Sequence, residues 1–149
     1  MTDYRLHNRL GYRISRLSRL MQARLEAGIA EQGLTRLMWC VLTGIGDEDV
    51  TAPSDLAAYV GVTRPAMSRL LTTLERKGYV ARGPGHSQDG RAVNLALTEA
   101  GHQAKRAARV HVDAQNSYFQ AKLLPGENAA LMAALATLAA GEEDDLTNF

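Results

Sequence analysis

The stretch "LAAYVGVTRPAMSRLLTTLERKGYVAR", residues 56–82, decides the fold. Two helical patterns meet in it at Gly61. On the N-terminal side, Leu56, Ala57 and Val60 give a short helix one inward face. Thr51 reads as the cap of that helix, and Pro53 falls in its first turn, where a missing N–H costs nothing. Gly61 suits the tight turn that follows. Thr63 then reads as the N-cap of a second helix, with Pro65 in its first turn. Val62, Ala66, Met67, Leu70, Leu71 and Leu74 make its apolar face. Arg64, Ser68, Arg69, Thr72, Thr73 and Arg76 lie on the other side, and Gly78 is the break. After Gly78 the hydrophobic period changes from helical to alternating. "YVAR" (79–82) and "AVNLAL" (92–97) read as strands, with Val93, Leu95 and Leu97 on one side. Between them "GPGHSQDGR" (83–91) is a Gly/Pro-rich loop too long for a two-residue turn. A short helix, a tight turn, a helix with a basic polar face and a hairpin together make a winged helix-turn-helix.

Working outward, residues 4–28 read as one long helix. Leu6, Leu10, Ile14, Leu17, Met21 and Leu25 form a stripe along it, and Arg5, Arg9, Arg13 and Arg16 form a second stripe beside the first. Gly33 breaks the pattern. "LTRLMWCVLTGIG" (34–46) is a helix buried on most sides, with Thr35 as N-cap and Gly44 or Gly46 as the stop. Thr98 caps another helix running to the Pro125–Gly126 break. A last helix carries Leu131, Leu135 and Leu138, and "GEEDDLTNF" (141–149) reads as a frayed tail. The expected architecture is mainly α with a small β-hairpin wing and about six helices.

The chain has 149 residues, 46% of them hydrophobic and 22% charged, which fits one globular domain with a real core. No apolar run is long enough to cross a bilayer, and "MTDYRLHNRLGYRISRL" is too charged to be a secretory signal. The expectation is a cytoplasmic protein with no membrane partner. The single cysteine, Cys40, excludes an intrachain disulfide and reads as a small buried core residue. The sequence around it shows no neighbouring basic residue that would make a reactive thiolate.

Net charge is only +1, but its distribution is uneven. Residues 62–91 hold Arg64, Arg69, Arg76, Lys77, Arg82 and Arg91 against Glu75 and Asp89. Acidic residues gather elsewhere, at 47–49 and 142–145. One basic face in a near-neutral chain suggests an anionic partner. An α-helix fits the major groove of DNA, so the helix over 63–77 is the candidate recognition helix. Thr63, Arg64, Pro65, Ser68, Arg69, Thr72 and Thr73 are its candidate contacts: the arginines reach guanine edges or phosphates, and the hydroxyls act as short donors. The plainer alternative for this face is a solvated basic surface. Arg91, at the hairpin tip, can enter the minor groove, whose negative potential attracts arginine. Asp89, two residues earlier, holds the tip in shape. The Gly-rich loop is no nucleotide cradle, because no Gly-Lys-Ser/Thr follows and the next element is a strand. No His/Cys cluster has zinc spacing, His102 and His111 being nine residues apart, so no metal and no cofactor are expected. No nucleophile–base motif argues for an enzyme.

The run 56–82 followed by "DGRAVNLALTEAG" (89–101) resembles the MarR family of bacterial transcription regulators. The resemblance covers nearly the whole chain, and the Asp-x-Arg pair before Leu-Thr-x-x-Gly is its most specific part. It implies an intertwined homodimer whose first and last helices interlock. It also implies that Asp89 and Arg91 are the wing pair and that Thr63 to Thr73 are the recognition face. Many relatives carry a second Arg after the wing Arg, where this chain has Ala92. The excess of apolar face on the N- and C-terminal helices argues independently for a dimer. The expected layout is a single domain over 1–149, with a winged-helix lobe at 34–97 and dimerisation helices at 1–33 and 98–149. The resemblance further implies a repressor that binds a pseudo-palindromic operator on double-stranded DNA. A small, phenolic or aromatic effector would release it from a cleft between the dimer region and the winged lobe. Tyr4, His7, Tyr12, Arg16, Met38 and Trp39 come from the elements that would line such a cleft, and each could equally be core or interface packing. The alternatives are a ligand-independent regulator, a redox-responsive one acting through Cys40, and a winged helix used only for protein contacts.

Overall fold

A computed structural model describes residues 5–84 and 93–142. Among them are six α-helices and one two-stranded antiparallel sheet: α1 (Leu10–Ile29), α2 (Arg36–Gly46), α3 (Pro53–Val60), α4 (Arg64–Arg76), β1 (Val80–Pro84), β2 (Val93–Leu97), α5 (Glu99–Gln120) and α6 (Glu127–Ala139). Short 3₁₀ turns at Leu6–Asn8 and Ala30–Gln32 flank α1. The expected mainly α winged helix-turn-helix is present in the expected order.

Three threonines set the helix starts. Thr35, Thr63 and Thr98 each accept a bond from the backbone N–H three residues on, at Met38, Ala66 and Gly101. Each satisfies a donor that a helix N-terminus leaves orphaned. Gly61 takes the left-handed conformation at φ 78°, which lets α3 stop and α4 begin within three residues. The core forms where α2, α3, α4, β2 and the C-terminal part of α1 meet. Ile29, Val41, Leu42, Leu56, Met67, Leu71, Leu74 and Leu95 are fully enclosed there.

Four boundaries differ from expectation. Thr51 is not the cap of α3; its carbonyl accepts the Leu95 N–H at 2.9 Å, so residue 51 is tied to β2 and Ala52 takes the cap position. The first long helix starts at Leu10 instead of residue 4, because Arg9 is extended at ψ 133°. β1 continues through Gly83 and Pro84, which pair with Asn94 and Val93. A proline is tolerated there because a two-stranded sheet has free edges and the ring needs no ladder donor. α5 stops at Gln120, short of the expected break, and a turn carries the chain to Pro125, whose ring disfavours helical backbone just before it.

Three hydrogen bonds set the hairpin against the helices. The Thr98 hydroxyl donates to the Gly78 carbonyl, and the Thr98 N–H bonds the Tyr79 carbonyl at 3.0 Å. The Tyr79 hydroxyl donates to the Gln32 carbonyl at 2.9 Å, joining the end of α4 to the end of α1.

Candidate nucleic-acid interface

The amphipathic pattern of α4 sorts its residues by burial. Met67, Leu71 and Leu74 are buried, with Val62 and Leu70 packed against the core. Arg64, Pro65, Ser68, Arg69 and Thr72 are exposed on the opposite side, and Thr63 and Thr73 are half-buried. Seven side chains singled out from sequence thus lie along one helix, five of them on its open face. Arg64 and Arg69 form no ion pair within the described residues. Their guanidinium donors are available to an outside acceptor.

The hydroxyls are not interchangeable donors. Thr72 and Thr73 donate to the carbonyls of Ser68 and Arg69, one turn back, at 3.0 and 3.1 Å. Their protons are spent on the helix, so they offer acceptor lone pairs outward instead. Thr63 is the reverse case. Its oxygen accepts the Ala66 N–H, which leaves its proton free to donate.

Beside α4 an open cleft of about 430 Å³ runs to α3 and β1, with Ser54, Arg64, Ser68 and Arg82 at its rim and Met67 and Leu71 as its floor. Arg82 was only one member of a basic run in sequence terms. The structure gives it a position: its Nε donates to Glu75 on the last turn of α4. The available signal was alternation, since Arg82 stands two residues after the buried Val80 on the same strand face. Ser54 carried no such signal, because only the tertiary approach of α3 to α4 brings it here. Asp89 and Arg91, the expected wing pair, lie outside the described residues, as does Tyr4.

The remaining expected effector residues are only partly brought together. His7 and Tyr12 meet edge to face at 4.9 Å between ring centres. Arg16 is exposed, while Met38 and Trp39 pack against the core. None of them lines the cleft beside α4. Nor do they line the smaller one, of about 270 Å³, where Arg24, Leu25 and Gly28 of α1 face His111, Ala114 and Gln115 of α5. The indole N–H of Trp39 and the hydroxyl of Thr43, one turn apart on α2, are buried without a hydrogen-bond partner.

Cys40 is half-buried, not fully enclosed, and it does have a basic neighbour. Arg36, one turn earlier on α2, places Nη1 4.0 Å from Sγ. Adjacency along the chain hides that pairing, whereas helical spacing brings it about. Burial pushes the thiol up from its ordinary value, and the opposing pull of Arg36 is the weaker influence. The thiol therefore stays protonated and poorly nucleophilic at neutral pH. Among the described residues no three His, Cys, Asp or Glu side chains gather as metal ligands, and no helix is long and apolar enough to cross a membrane.

Comparison with known proteins agrees with this geometry. A family model described as MarR family matches residues 32–92. An uncharacterized HTH-type transcriptional regulator of Mycobacterium bovis is 34% identical over 108 residues, which make up 72% of this chain and 72% of that one. The crystal structure of the PcaV transcriptional regulator of Streptomyces coelicolor, in complex with its natural ligand, superposes with a TM-score of 0.84 at 23% identity, covering 95% of this chain and 99% of that chain. The S. aureus MepR–DNA complex superposes with a TM-score of 0.81 at 24% identity, covering 89% and 97%.

Proposed function

The chain belongs to the MarR family of transcriptional regulators, and we propose that it binds operator DNA as a homodimer through α4. The observation that carries this reading is the open face of α4. Arg64, Pro65, Ser68, Arg69 and Thr72 stand on it, opposite the buried Met67, Leu71 and Leu74 and behind a well-made cap at Thr63. A helix so held can enter the major groove and present guanidinium forks to guanine edges. Arg69, one turn into the helix and unpaired among the described residues, is the side chain best placed to read a base. Asp89 and Arg91 keep the minor-groove role that the resemblance implies. MepR, a fold relative, was crystallised in complex with DNA, which supports DNA as the partner.

Residues 34–97 serve as the DNA-binding lobe, and residues 1–33 and 98–149 serve as dimerisation helices. The dimer represses transcription and is released by a small aromatic effector held near His7, Tyr12, Arg16, Met38 and Trp39. The buried, unpaired indole N–H of Trp39 supports a polar occupant in that region. The protein acts by binding and not by catalysis. Cys40, kept protonated by burial, speaks against the redox alternative.

Fluorescence anisotropy with duplexes from the protein's own promoter region tests the reading. Wild type should bind one pseudo-palindromic duplex far more tightly than scrambled DNA. Arg69→Ala should cost about 1–3 kcal/mol on the specific duplex, with little change on scrambled DNA. Equal loss on both would reduce Arg69 to a phosphate contact. No binding to any promoter duplex at low salt would remove the DNA-binding reading altogether.

A further inference from the structure

We propose that the Glu75–Arg82 ion pair builds a seat for a DNA backbone phosphate on the flank of α4, with Arg82 as the contact and Glu75 as the residue that positions it. The inference rests on the DNA-binding reading above and adds to it a contact outside the recognition face.

The register of the hairpin places Arg82 first. Its partner across the sheet is Leu95, and directly opposed residues of an antiparallel pair share a face. Leu95 is buried, as is Val80 two residues before Arg82. Arg82 therefore leaves β1 on the face turned toward the helices, at the point where that face runs out of core. Arg82 borders the same cleft as Met67 and Leu71, and its guanidinium reaches Glu75 on α4. Glu75 then accepts from Nε, the inner edge of the guanidinium. The terminal Nη groups make no hydrogen bond to any described residue. That outer edge is the two-donor fork which suits a phosphate.

The rest of the cleft fits the same ligand. Arg64 supplies a second cation from the first turn of α4, and the hydroxyls of Ser68 and Ser54 stand on the rim. The cleft is open, so a backbone phosphate can approach it from outside. A carboxylate on a surface turned toward DNA would ordinarily weaken binding by repulsion. Glu75 escapes that objection because its charge is spent on holding Arg82. The two roles predict opposite signs when the charge is removed.

The test uses the full chain and anisotropy titrations over a range of KCl concentrations, with circular dichroism to verify that each variant is folded. Arg82→Ala should weaken specific and scrambled duplexes alike, by about tenfold, and lower the slope of log K against log salt by about one. Arg82→Lys should recover the salt slope but only part of the affinity. Glu75→Gln should weaken binding severalfold in the wild-type background and change nothing further in Arg82→Ala. Tighter binding by Glu75→Gln would show a merely repulsive carboxylate and overturn the proposal. So would an unchanged salt slope in Arg82→Ala. Inorganic phosphate at matched ionic strength should displace duplex from wild type no more readily than from Arg82→Ala. Preferential displacement from wild type would assign the seat to a free anion instead. A wild-type protein that binds no duplex defeats the DNA-binding reading itself, whereas wild-type binding with unaffected variants defeats only this seat.

Discussion

Gly101 shows how a single absent atom fixes the angle between the hairpin and α5. A Cβ built on it would lie 2.0 Å from the Tyr79 carbonyl oxygen and 3.0 Å from its carbon. Its backbone is ordinary helix, so the requirement is close approach and not an unusual φ. The Tyr79 carbonyl is held there by the Thr98 N–H, and the Gly78 carbonyl by the Thr98 hydroxyl. The first turn of α5 is thus pressed against the end of α4 with no room for a methyl group. Gly101→Ala should destabilise the fold by about 1–3 kcal/mol, the usual cost of overpacking a tight contact. A urea melt followed by far-UV circular dichroism measures it, and an unchanged midpoint would mean that the Tyr79 strand end yields freely. The Leu-Thr-x-x-Gly spacing was visible in the sequence, but its reason was not. That reason lies in a carbonyl twenty-two residues upstream.

At the scale of elements, the caps decide where helices begin, and they explain both what could be read and what could not. Thr35, Thr63 and Thr98 each precede an apolar-periodic run and each make the expected bond. Thr51 has the same local appearance and fails, because the Leu95 N–H claims its carbonyl from across the fold. Local pattern predicts a cap only where no tertiary partner competes. The same limit hid the pairing of Arg82 with Glu75, which joins two elements, whereas Arg36 and Cys40 stand one helical turn apart and were legible from spacing, though not from adjacency. The recognition face over Thr63–Thr73 was legible because a 3.6-residue period is itself a statement about faces. Thr63→Ala removes the cap of α4 and should cost about 0.5–2 kcal/mol, whereas Thr63→Ser should cost little. Chemical denaturation of both variants, read by the single tryptophan, Trp39, distinguishes them. Equal stability of the two would show that Pro65 and the packing of Met67 hold the start of α4 unaided.

At the scale of the molecule, one copy leaves too much apolar helix in water to be the working unit. α1 has twenty residues, of which only Leu25 and Ile29 are buried. Leu10 is 59% exposed and Leu17 is 48% exposed, both on the stripe that the spacing marks as one face. In α6 no residue is buried, although Leu131, Leu135 and Leu138 recur on it. An isolated helix of that length is marginal in water, so packing must come from outside the chain. Burying such faces stabilises by about 25 cal/mol per Å² of apolar surface removed from water. A second copy supplies matching surface under two-fold symmetry and would set the two α4 helices roughly 34 Å apart, one turn of DNA. DNA affinity then depends on the dimer, since a monomer would engage one half-site and lose an avidity of about 10²–10⁴. Ile14→Glu combined with Leu17→Glu places two charges in the middle of the α1 stripe, at positions exposed in one copy. The variant should sediment as a monomer at micromolar concentration. It should also unfold at a lower temperature and bind the operator at least about a hundredfold more weakly. A variant that remains dimeric would move the interface off α1. One that is monomeric yet binds the full operator at wild-type strength would separate dimerisation from recognition.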